Sequence, residues 1–75
     1  MTTESKNTIQ NAIAANLAAL THRLTQAAEL AKQAHEAMEQ GEQNLAIGTI
    51  IDFERLLPET QALYNAAMAL HRGRN

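Results

Sequence analysis

Residues 13–38 read IAANLAALTHRLTQAAELAKQAHEAM, and one stripe through them decides the fold. Ile13, Leu17, Leu20, Leu24, Ala27, Ala31, Ala34 and Met38 succeed one another at alternating steps of four and three residues. A seven-residue repeat of that kind keeps one helix face turned toward a partner along its whole length. Neither Pro nor Gly interrupts the chain before Gly41, and Ala, Leu, Gln and Glu, all good helix formers, dominate it. Roughly thirty residues at about 1.5 Å each make a rod of about 50 Å.

A second stripe answers the first: Ala46, Ile50, Phe53, Leu57, Thr60, Tyr64, Ala67 and His71, at the same alternating steps. Folding the chain back near Glu42 sets Met38 against Ala46, Ala34 against Ile50 and Ala31 against Phe53, and so on down to Ile13 against His71. The regular pairing is automatic once one pair is set, so the side-chain sizes carry the information. Where the first stripe has alanine, the second has Ile50, Phe53 and Leu57; where the first has Leu17 and Leu24, the second has Ala67 and Thr60. Large opposite small holds two helices at constant separation. Leu20 opposite Tyr64 breaks the rule and would widen the gap.

The boundaries follow from capping chemistry. Asn7 with Gln10 has the form of a capping box, and Thr3 is an earlier candidate start. Gly41 suits the left-handed position after a helix, and Asn44 an N-cap. The expected elements are therefore helix one at about 7–40 and helix two at about 44–71, joined by a linker so short that they must be antiparallel neighbours. Gly48 weakens helix two. Pro58 removes a backbone donor and crowds the carbonyl of Glu54. One helix kinked at Pro58 is favoured over two, because the apolar stripe keeps its register through it. Gly73 ends that helix, with His71 and Arg72 at the negative end of its dipole. Gly41, Ala46 and Pro58 share the offsets of half a tetratricopeptide repeat, but Phe53 is too large for that motif and no second copy exists.

Length and composition bound the rest. Seventy-five residues make one domain, 1–75, and a chain this short needs long ideal helices, covalent staples or a partner. It has no cysteine, so staples and thiol chemistry are out. No run approaches the ~20 apolar residues of a membrane span, and the opening MTTESKNT lacks a signal peptide's pattern, so a cytoplasmic protein with no membrane contact is expected. With Phe53 and Tyr64 as the only aromatics and a net charge of −2, a nucleic-acid groove is disfavoured.

A hairpin uses one stripe per helix, and this chain has more apolar surface than that. Leu56, Leu63 and Leu70 form a further file beside the second stripe, Ile47 and Ile51 lie on that stripe's other flank, and helix one adds Ile9 and Leu30. A symmetric homodimer forming a four-helix bundle would cover them, with Ile51, Leu56, Leu63 and Leu70 as the dimer contact. The alternative is a monomer with a greasy surface. Charge bears on the orientation: seven acids between Glu29 and Glu59 stand against Lys32 and Arg55, net −5, while the rest of the chain carries net +3. Antiparallel docking would set each acidic tip beside the other copy's basic open end.

Catalytic signatures are missing. His35-Glu36 begins like a zinc-protease helix, but Glu39 stands where the second histidine is needed. No Glu has a His three residues on, as di-iron bundles require. His22 and His35 read as solvated, and His71 as a dipole partner. The hydroxyls lack a base–acid arrangement, and there is no phosphate loop. No enzyme activity, cofactor or metal is expected. The C-terminal HRGRN is a weak phosphate signal, best read as a solvated helix end. The acidic tip, with Glu36, Glu39 and Glu42, is either a soluble face or a contact for a basic partner surface such as that of a DNA-binding regulator.

Two classes remain: a small dimeric protein that binds and modulates a larger protein, and a dimeric nucleic-acid-binding bundle of plasmid copy-control type, which the net charge disfavours. A ligand-holding bundle lacks polar groups converging on its core. In size, acidity and inferred hairpin-dimer design, with the stripe Ile13–Met38 and the tip EAMEQGEQN as carriers, the chain resembles the small proteins phages use against host regulators, such as quorum-sensing anti-activators. That resemblance implies inhibition of a host transcription factor by direct binding. It transfers no binding residues, because it has no diagnostic motif.

Overall fold

The computed structural model describes the backbone of residues 3–73, with side-chain environments from residue 7, and over that span its only regular elements are helices. Helix α1 runs Thr3–Glu39, α2 Gln43–Ile50 and α3 Phe53–Gly73. The long helix packs against both returning segments, making an antiparallel hairpin of 59 × 15 × 12 Å. Its radius of gyration of 17.3 Å exceeds the ~11 Å of a compact domain of this length. The molecule is a rod.

Of the two candidate starts of α1, Thr3 is the one the helix takes. The helix is already formed at Thr3, so Asn7 lies inside it and caps nothing. At the other end the chain turns as Gly41 predicts, with φ of +77°. The Glu42 N–H donates to the Ala37 carbonyl (2.9 Å) and the Gly41 N–H to the Met38 carbonyl (2.9 Å), the two bonds of a Schellman motif. The next helix begins at once. Glu42, not Asn44, is its N-cap residue, and the Glu42 carbonyl accepts from the Ala46 N–H at 3.0 Å.

The returning segment breaks where no break was expected. Pro58 lies inside α3, and the discontinuity falls at Ile51 and Asp52. The Ile51 N–H still bonds to the Ile47 carbonyl, closing α2, and the Asp52 carbonyl then accepts from both Arg55 (3.0 Å) and Leu56 (2.9 Å), opening α3. Asp is a favoured helix starter and Glu54 sits in the first turn, at the positive end of the dipole. These start signals end the continuous helix before the proline is reached. Pro58 then costs α3 only the single bond to Glu54, within its second turn.

The largest correction concerns which face closes the hairpin. In α1 the residues turned toward the second strand of the hairpin are Ile9, Ile13, Asn16, Leu20, Arg23, Ala27, Leu30, Ala34 and Ala37, with Ala12, Ala19 and Gln26 beside them. Leu17, Leu24, Ala31 and Met38, half of the expected stripe, are exposed. The same shift occurs in the return: Phe53, Leu56, Thr60, Leu63, Ala67 and Leu70 face α1, while Leu57, Tyr64 and His71 do not. Leu56, expected to be left over, is 1% exposed and is the most deeply buried large side chain among those described. Each stripe is thus rotated by one heptad column, about 50°. The rotation removes the Leu20–Tyr64 misfit, because Tyr64 leaves the seam. At the turn the expected pairing survives, with Ile50 packed on Ala34, Ala37 and Ala46.

Candidate interaction surface

Rotating both stripes in the same sense gives the flat hairpin two unlike sides. On one side, Ala31, Ala34, His35 and Met38 meet Ala46, Ile47 and Ile50 along a shallow groove of about 280 Å³. Steps of seven from Ala31 and Met38 lead to Leu24 and Leu17, and in α3, where Arg55, Glu59 and Ala62 line the opposite side, Leu57 and Tyr64 lie on the other flank of Phe53 and Thr60. All of these therefore share this side of the rod. Leu17, Leu24, Met38, Leu57 and Tyr64 are 47–54% exposed, a file of large apolar side chains in water on both helices. The other side is polar. His22, Thr25, Gln26 and Glu29 face Asp52 and Arg55 over Leu30 and Leu56, around a groove of about 390 Å³.

A short ladder of charges laces that polar side. Arg23 Nε lies 3.4 Å from Glu59 Oε1, bridging α1 and α3. Glu59 also accepts from Arg55 Nη1 at 3.1 Å, and Arg55 Nη2 lies 3.5 Å from Asp52. The order along the ladder is Asp52–Arg55–Glu59–Arg23, with signs alternating. Sequence periodicity missed Arg23 and Asn16 as seam residues because they interrupt an apolar pattern. Arg23 keeps its charge at the edge of the seam by reaching Glu59, and Asn16 donates Nδ2–H to the Ala12 carbonyl at 3.0 Å. The signal for them was indirect: Leu56, Leu63 and Leu70 form a complete apolar column that had to face something.

The acidic tip is placed as expected on exposed positions, and its members do not converge. Glu36 and Glu39 lie on the last turns of α1 and Glu42 in the turn, all exposed. His35 Nε2 lies 3.6 Å from Glu39 Oε1 on the solvent side. Asp52 is drawn into the ladder, away from the tip. Of the expected dimer contacts, Leu56, Leu63 and Leu70 are turned into the hairpin and Ile51 is 55% exposed beside the helix break. Among the described residues no three His, Cys, Asp or Glu side chains come together as a metal-ion ligand set. Among the described residues no helix is long and apolar enough to cross a membrane. No protein-family model, curated protein or solved structure matches the chain.

Proposed function

We propose that the protein is a small non-enzymatic interaction module, a homodimer that binds and modulates a larger protein such as a host transcriptional regulator. The observation that carries this reading is the mismatch between the hairpin's core and its surface. Among the described residues the buried apolar set is Ala34, Ala37, Ala46, Ala67 and Leu56, four alanines and one leucine. Meanwhile five large apolar side chains stand half exposed in register on one side. A chain of this size without disulfides gains too little from such a core to waste that file on water. A protein whose largest apolar surface faces outward is built to be covered.

The partner contact proposed for the regulator is the acidic tip. Glu36, Glu39 and Glu42 are free of the hairpin seam, and acids there would compete with nucleic-acid phosphate for a basic surface. The test is affinity purification from cells of the native host, with the wild type and with an E36K/E39K/E42K variant. A protein partner recovered by the wild type, lost by the variant and weakened by raising the salt is the expected result. Nucleic acid recovered without protein would replace this reading with the copy-control type of bundle. A protein bound equally by both forms would move the contact away from the tip.

A further inference from the structure

The proposed homodimer, on which this inference rests, has a definite geometry written into the columns of its helices. Each helix of a four-helix bundle touches two neighbours, so it needs three adjacent apolar columns: one toward each neighbour and one between them toward the bundle axis. A helix in an isolated hairpin needs only the seam. In α1 the column Asn16, Arg23, Leu30 and Ala37 faces the chain's own return, and Ile13, Leu20, Ala27 and Ala34 are partly or fully buried beside it. The third column, Leu17, Leu24, Ala31 and Met38, is fully formed and exposed. The return repeats the arrangement, with Leu56, Leu63 and Leu70 in the seam, Phe53, Thr60 and Ala67 in the middle, and Leu57 and Tyr64 outside.

We infer that a second copy of this chain docks on the face of Leu17, Leu24, Met38, Leu57 and Tyr64, acidic tip to basic open end. Two magnitudes support a copy of the chain over a smaller occupant. The accessible surface is 5493 Å², about 1,000 Å² above what a compact folded monomer of 8.2 kDa exposes. A standard protein interface removes about 800 Å² from each partner. The surplus is the size of one docked copy. Charge selects the direction. Residues from Glu29 to Glu59 carry net −5 and the remainder of the sequence +3, so tip-to-tip docking would stack like charges and tip-to-end docking pairs opposite ones. Both orientations bury the same leucines, so the weak surface terms decide between them.

The geometry gives the two orientations different distances. Arg23 and Glu59 are level with each other, so Leu63, the midpoint of α3, is level with Ala19, the middle of the overlap between α1 and α3. Tip-to-end docking has its two-fold axis there, which places two copies of residue 39, twenty positions away, about 60 Å apart at 1.5 Å per residue. Tip-to-tip docking keeps them within about 25 Å, the width of two packed helix layers. The natural chain has no cysteine, so Glu39→Cys carries a single spin label. Sedimentation equilibrium and helicity of the wild type, L24D and L17D complete the experiment.

The expected result is a wild-type dimer with a label separation of roughly 60 Å. L24D and L17D should remain helical while the dimer dissociation constant rises roughly 100-fold or more, since each places an unpaired charge under the other copy. A dimer with a short label separation overturns the orientation. A dimer indifferent to both aspartates overturns the face. A folded wild-type monomer at 100 μM that still captures its partner overturns the inference and leaves the partner-binding reading standing; loss of partner capture by a well-formed dimer does the reverse.

Discussion

At the scale of single residues, Leu56 and Leu24 separate two roles that share one chemistry. Leu56 is 1% exposed against the chain's own long helix, while Leu24 is half exposed on the apolar side. The ion pairs around Leu56 do little to hold it: the side chains of Arg23 and Glu59 are each about a third exposed, and pairs of that kind contribute well under 1 kcal/mol. Leu56→Ala is therefore expected to cost about 2–4 kcal/mol, the usual range for opening a cavity at a buried leucine. That loss should be the same at every protein concentration in urea denaturation. Leu24→Ala should cost little in dilute solution and acquire its penalty as the concentration rises, because the contact it removes is proposed to lie between copies. Equal, concentration-independent losses for both would place Leu24 in the monomer's own stability.

At the scale of the elements, the α2–α3 break and Pro58 are separate features. The break lies at Ile51 and Asp52, whose carbonyls take the first three bonds of α3, and Pro58 lies six residues beyond Asp52. Pro58→Ala restores the missing bond to Glu54 and relieves the crowding there, so it should raise stability by about 1–3 kcal/mol. The break should persist, with amides just before Phe53 still exchanging faster than those on either side. An unbroken helix in the variant would make the proline its cause. The long helices, the Gly41 turn and the antiparallel hairpin were legible in the sequence, because uninterrupted helix formers and a left-handed glycine act locally. The face was not. Periodicity selects the most apolar pair of columns, Ile13–Ala34 with Leu17–Met38, whereas the seam accepts Asn16 and Arg23 in exchange for Leu30 and Leu56. A single chain offers two rival faces per helix, and hydropathy alone does not say which one its own hairpin takes.

At the scale of the whole molecule, the rod's shape turns the mode of association into a scattering measurement. One hairpin has a radius of gyration of 17.3 Å, nearly all of it from the 59 Å long axis. Laying a second hairpin flat on the apolar side adds mass about 10 Å from the first along the thin direction. The radius of gyration should then rise by only about 1 Å while the mass doubles, since the long axis still dominates. Joining copies end to end through the acidic tip or the open end would instead carry it past about 30 Å, as the separation of centres approaches the rod's own length. Small-angle scattering over a dilution series reads both quantities at once. Doubling of mass at nearly constant radius is the expected outcome, and it ties the buried file to the side of the rod. Growth of radius with mass would put the contact at the ends and leave Leu17, Leu24, Met38, Leu57 and Tyr64 open for the larger partner.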